Sequence, residues 1–102
     1  MPGFDYRNLD DVIHSRVRLA IMSFLMTAGS ASFPELKKQL ALSDGNLSTH
    51  LRKLEDHGYL LVDKQFVNRK PRTVVTLTKD GRKAFEAWFH QLSAMVQPAA
   101  DQ

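Results

Sequence analysis
The run from Leu42 to Leu60, LSDGNLSTHLRKLEDHGYL, constrains this chain most, because it packs a marked start, a marked stop and a two-sided character into one short helix. Ser43 suits an N-cap, whose hydroxyl takes up a free backbone N–H, and Gly58 suits the place where a helix stops. At about 100° per residue, Leu47, Leu51 and Leu54 fall on one side. Gly45, Asn46, Thr49, Arg52 and Lys53 fall on the other. Such a helix can be an ordinary amphipathic surface element. It also suits the major groove of DNA, with its first turn at base edges and its cations at phosphates. The flanking segments have to decide.

Length and charge set the outer bounds. A chain of 102 residues is expected to form a single domain, 1–102, with one core and no separate sensor module, so any ligand site would lie within it or between subunits. The net charge of +3 and a pI near 9.5 permit a polyanionic partner. With no cysteine, disulfides, thiolate metal sites and cysteine nucleophiles are excluded, and a reducing cytoplasm is the expected location. The longest apolar run, Leu19 to Met26, falls short of the roughly 20 residues that span a bilayer. The opening MPGFDYRNLDDV lacks the basic start and apolar core of a signal peptide.

Residues 1–8 read as an irregular N-terminal arm. Ile13, Val17, Ala20 and Phe24 then recur at helical spacing, and the helix ends near Thr27 to Gly29. Asp10 could cap a helix from Asp11, and Ser15 a second one from Arg16, so one helix and two both remain open. Ser32-Phe33-Pro34-Glu35 has capping-box spacing, with proline in the first turn where its missing N–H is harmless. The short helix it opens turns through Ala41-Leu42 into the run above, which makes 34–57 a helix-turn-helix candidate. Lys37 and Lys38 face outward, toward solvent or phosphates.

After Gly58 the pattern becomes strand-like. YLLVDKQF and RTVVTLT are rich in β-branched and aromatic residues and are expected to form a hairpin over 59–78, with Val67 to Pro71 as a five-residue loop. Alternation places Leu60, Val62, Phe66, Val75 and Leu77 on its inner face, with Lys64 breaking the pattern there. From Lys64 to Arg72 there are four cations, Lys64, Arg69, Lys70 and Arg72, and no acid. A basic hairpin directly after a helix-turn-helix has the character of a wing, with arginines along phosphates or in the adjacent minor groove. The plainer reading is a hairpin kept soluble by charge.

The segment 79–96 is the best-defined amphipath, capped by Thr78 and with Asp80 in its first turn. Phe85, Trp88, Phe89, Leu92, Met95 and Val96 line one side and are expected to supply a dimer interface, against the alternative that they close the protomer's own core. Residues 97–102 read as a tail.

The run DGNLSTHLRKLEDHGY, followed about eighteen residues later by LTKDGR, resembles the small winged-helix transcriptional regulators related to the MarR and ArsR families, from about Ile13 to Phe89. The resemblance implies an α+β, mainly helical fold: a winged helix-turn-helix with a two-stranded β-hairpin wing and a C-terminal dimerisation helix. It implies a prokaryotic homodimer that binds a double-stranded operator. In ArsR-type relatives, residues matching Asn46, Ser48 and His50 meet DNA. Asp44, Gly45 and Thr49 depart from the family pattern, which suggests fewer direct base contacts and more reliance on the wing and on DNA shape. The expected DNA-binding set is Ser43, Asn46, Ser48, Thr49, His50, Arg52, Lys53, Lys64, Arg69, Lys70 and Arg72.

No cofactor is expected. Glu86 and His90, four apart, could offer two metal ligands across a dimer, although that spacing is ordinarily a solvated pair. There is no phosphate-binding glycine loop, and no nucleophile with an identifiable base, so catalysis is not expected. The rival to a DNA-binding regulator is a winged helix used to dock another protein. The sequence does not identify an operator, the sign of regulation or an effector.

Overall fold
The computed structural model describes residues 5–96; residues 1–4 of the expected arm and the tail 97–102 lie outside it. A single 3-10 turn, Tyr6–Asn8, leads in. Asp10 then organises a tight turn: its carboxylate accepts the N–H of Val12 at 2.8 Å and of Ile13 at 3.3 Å, and its carbonyl accepts the N–H of His14 at 2.7 Å. The first helix, α1, runs Arg16–Ala28 from Ser15. The two candidate caps therefore resolve as a capped turn and one helix. That turn matters to the core, because Val12 and Ile13 are buried.

Gly29, at φ +79°, ends α1 in a conformation that favours glycine. The chain then enters a short strand, β1, at Ser30–Ser32, and α2 at Phe33–Leu40. The capping box forms: Glu35 N–H donates to Ser32 Oγ at 3.2 Å, and Ser32 N–H to Glu35 Oε1 at 3.4 Å. Ala41 ends α2 in a left-handed conformation, φ 53°, and turns the chain into α3, Asp44–Asp56. Ser43 Oγ accepts the N–H of Asn46 at 3.2 Å, and Leu47, Leu51 and Leu54 are buried as their spacing requires.

Two long strands follow, β2 at Leu60–Val67 and β3 at Lys70–Leu77, and then α4 at Lys79–Met95. The sheet has three antiparallel strands in the order β1-β3-β2, where the sequence had suggested two. Ser30, Ala31 and Ser32 pair with Thr76, Val75 and Val74. The hairpin loop is two residues rather than five. Val67 pairs with Lys70, and Asn68 and Arg69 both have positive φ, 54° and 66°, the conformation of a type I′ turn that matches strand twist.

Leu60 and Val75 are buried and Val62 and Leu77 half-buried, but Phe66 is 78% exposed, against expectation. The reason is reach. Beyond Val62 the hairpin leaves the helices, and the next inner pair is Lys64 with Thr73, which offers no apolar cover.

The core joins Ile21, Met22 and Leu25 of α1, Leu36 of α2, the leucines of α3, the sheet residues Ala31, Leu60 and Val75, and Trp88 of α4. The start of α4 is pinned to the turn after α3. Thr78 Oγ1 donates to the Gly58 carbonyl at 2.6 Å and accepts the N–H of Gly81 at 2.9 Å, while Thr78 N–H donates to the Tyr59 carbonyl at 3.1 Å. Gly81 sits so close that a β-carbon there would overlap that same carbonyl, which explains the glycine in LTKDGR.

Candidate nucleic-acid interface
The outward side of α3 carries Asn46, Ser48, Thr49, Arg52 and Lys53, all exposed, with Gly45 between them. The helix is about 20 Å long at 1.5 Å per residue, so one or two turns of it match the depth of a DNA groove. Two hydroxyls on it are already engaged locally. Ser43 Oγ is the cap, and Thr49 Oγ1 donates to the Gly45 carbonyl at 2.9 Å, leaving its oxygen free to accept.

Asp44, an acid at the leading end of this polar and basic face, is paired with Lys37 of α2 at 2.8 Å. This pair also accounts for Lys37, which points along α2 toward α3 rather than simply into solvent. Both side chains are largely solvated, so the pair contributes a fraction of a kcal/mol, about 0.2–1, and its main effect is to cancel charge.

His50 does not share the exposed face with its neighbours. It is half-buried, and its Nδ1 lies 3.1 Å from Nη1 of Arg18 in α1. Arg18 also donates from Nε to the Val12 carbonyl at 2.6 Å and from Nη2 to the Asp11 carbonyl at 3.4 Å. A guanidinium only donates, so His50 Nδ1 must accept and the ring must be neutral. Consistently, burial and then the charges of Arg18 and Lys53 hold the His50 pKa below its ordinary 6.5. Through Nδ1, His50 thus braces α3 against α1.

A second brace was also invisible in the sequence. Tyr59 Oη donates to Asp10 Oδ2 at 2.5 Å, and burial, with that bond, pushes the phenol up to about 12. Together these contacts hold α3 at its middle and just past its C-terminal end.

Between α3 and the wing lies a groove of about 740 Å³, lined by Ser48, Arg52 and Glu55 on the helix side and by Val62, Lys64 and Thr73 on the wing side. Glu55 Oε2 accepts the N–H of Val62 at 3.2 Å, which ties the end of α3 to β2. Lys64, the residue that broke the inner alternation, therefore faces the same space as Arg52. A second groove of about 580 Å³ separates the wing from the start of α2, with Lys70, Pro71 and Arg72 on one wall and Ser32, Phe33 and Pro34 on the other. Arg69 sits at the tip, in the turn itself.

The residues expected at a dimer contact divide. Trp88 is only 6% exposed and belongs to the chain's own core, where Nε1–H donates to His14 Nδ1 at 3.1 Å and its ring lies 5.5 Å from that of Phe85. Phe85, Leu92 and Met95 are half-buried, while Phe89 and Val96 are 59% and 72% exposed. Phe89, Glu86 and His90 line a shallow groove of about 360 Å³ with Met26 of α1. Among the described residues, no cluster of three or more metal-ligating side chains forms, and no helix is long and apolar enough to cross a membrane.

Comparison with known proteins places this geometry. The chain is 33% identical over 81 residues, 79% of its length and 88% of the relative's, to an uncharacterized protein of Methanocaldococcus jannaschii. Its structure is similar to that of a transcriptional regulator homologue from Pyrococcus horikoshii, with TM-score 0.86 and 33% identity, covering 94% of this chain and 95% of that one. It shares its fold with overoxidized AbfR, a Staphylococcus epidermidis protein whose structure was solved bound to DNA, with TM-score 0.72 and 22% identity, covering 81% of this chain and 60% of AbfR. It also shares its fold with an ArsR family transcriptional regulator, with TM-score 0.59 and 24% identity, covering 80% of this chain and 79% of that one. A family model for the winged helix DNA-binding domain matches residues 17–96, from the start of α1 to the end of α4, and the chain belongs to that family.

Proposed function
We propose that this protein is a dimeric transcriptional regulator that binds an operator in double-stranded DNA by sequence. The observation that carries the reading is the pairing of an exposed polar and basic face on α3 with a wing whose stretch from Lys64 to Arg72 is basic and free of acids, across one groove. In this account Gly45, Asn46, Ser48 and Thr49 enter the major groove. Gly45 lets the helix approach closely, and the amide and hydroxyls meet base edges. Arg52, Lys53 and Lys64 meet the phosphates on either side of the groove, and Arg69, Lys70 and Arg72 follow the backbone into the neighbouring minor groove.

AbfR, which has the same fold, is described bound to DNA, and the Pyrococcus horikoshii structure is described as a transcriptional regulator homologue; both support the reading. Two copies joined through α4, with Phe89 and Val96 at the contact and Phe85, Leu92 and Met95 beneath, would set two α3 helices about 34 Å apart on a pseudo-palindromic site. Such a protein acts in the cytoplasm, where the DNA is. No effector need be involved.

The wing is tested by removing its charge. The double variant R69A/R72A is expected to bind every duplex more weakly, and to flatten the salt dependence of binding by about one unit per lost phosphate contact. An unchanged slope would remove the wing from the interface and favour a protein partner for the hairpin.

A further inference from the structure
The inner row of the wing changes character along its length. Its cross-strand pairs run Leu60 with Leu77, Val62 with Val75, Lys64 with Thr73, and Phe66 with Pro71. The first two pairs join the core and its margin, and the third lines the groove beside α3. The fourth pair lies farther out on the same face, with both residues exposed, and Pro71 also borders the groove toward Phe33 and Pro34 of α2. Within the stretch Lys64 to Arg72 these two apolar rings are surrounded by four cations and no acid.

The tip is also narrow. Val67 and Lys70 close the two-residue turn, so Phe66 and Pro71 form the next, non-hydrogen-bonded pair, where side chains approach most closely. Proline loses no ladder bond at such a position. Two strands about 4.8 Å apart carry the pair, against a minor groove about 6 Å wide.

We propose that Phe66 and Pro71 form an apolar wedge that enters the minor groove beside the major groove held by α3, partly unstacks one base step and bends the duplex. This rests on the DNA-binding reading above. The cations choose the partner: Arg69, Lys70 and Arg72 can hold phosphates on both strands while the rings meet stacked bases, whereas an apolar protein surface would have to desolvate those charges. A wedge favours pyrimidine–purine steps, which unstack most readily, so it reads sequence at a position where no side chain hydrogen-bonds a base.

The test uses duplexes of about 30 base pairs carrying a fluorophore at each end, one with a central TA step and one with an uninterrupted A-tract in its place, at low salt. With the wild-type chain, energy transfer between the ends should rise on binding, as a bend of about 20–90° requires, and more for the TA duplex. F66A should lose that rise and the TA preference while keeping the salt slope, and F66L, which restores bulk, should recover the bend. R69A should do the reverse, with a flatter salt slope and the bend retained. Phe66 lies outside the core, so F66A is expected to stay folded, which circular dichroism checks. Binding without a change in energy transfer, or an equal bend with F66A, would overturn the wedge and leave DNA binding standing. No binding of the wild-type chain to either duplex would overturn both.

Discussion
Tyr59, just after α3, is tied to the turn before α1, and His50, midway along α3, to α1 itself; each leaves a pH signature. The Tyr59 phenol is raised from 10.0 to about 12 in the fold, first by burial and then by its bond to Asp10. The folded state therefore keeps a proton that the unfolded chain loses above pH 10. Stability from this pair is complete below that pH and falls as pH rises toward 12. Spectrophotometric titration should show one tyrosine ionising late, and Y59F should abolish the late step. His50 runs the other way. Its folded pKa is below 6.5, so the unfolded chain binds the proton more readily, and stability is present above that pH and lost as pH falls below it. Thermal melts across this range should show an acid limb that is shallower in H50Q, whose amide oxygen can still accept from Arg18. An unchanged limb would count against the brace. Neither brace could be read in the sequence, because its partners stand 49 and 32 residues apart and nothing local marks them. The same holds for His14 and Trp88, 74 apart, which is why the tryptophan was expected on a dimer face.

Elements were legible where their signals are local. The capping box at Ser32 and Glu35, the cap at Ser43 and the leucine spacing of α3 each act within a few residues, and each formed. The strand β1 was not legible, because Ser-Ala-Ser has little strand preference of its own and is extended only because β3 offers it an edge. The wing turn is shorter than the five-residue loop expected from Val67 to Pro71, because Pro71 pairs with Phe66 inside the ladder. At that level β3 has no third strand beside it, and the proline is tolerated within a continuing strand. Two joints between elements give sharp predictions. G81A should destabilise the fold by about 1–3 kcal/mol in urea unfolding, since the methyl meets backbone that cannot move aside cheaply. A41G should stabilise it by about 0.5–1 kcal/mol, by relieving a left-handed alanine in the turn between α2 and α3. No loss with G81A would mean that α4 is not pinned to the turn after α3.

The chain is elongated, 61 by 25 by 22 Å, because the wing and α4 reach out from the core. Each projection carries unburied apolar surface, Phe66 on the wing and Phe89 and Val96 on α4. On this account the first meets DNA and the second a partner copy. The chain should then sediment at twice 11.6 kDa at micromolar concentration, and the F89E variant should run as a monomer with an unchanged fold. A wild-type monomer would contradict the dimer and require each α3 to bind alone. The central claim is that α3 and the wing together read a DNA sequence. It is tested most directly by fluorescence anisotropy of the purified protein against the DNA upstream of its own gene and a shuffled duplex of equal length, at low and at physiological salt. The account predicts tight, salt-steep binding to the upstream DNA and clearly weaker binding to the shuffled duplex. Equal binding to both at physiological salt would contradict sequence reading at that site, and no binding to either at low salt would contradict the DNA-binding account as a whole.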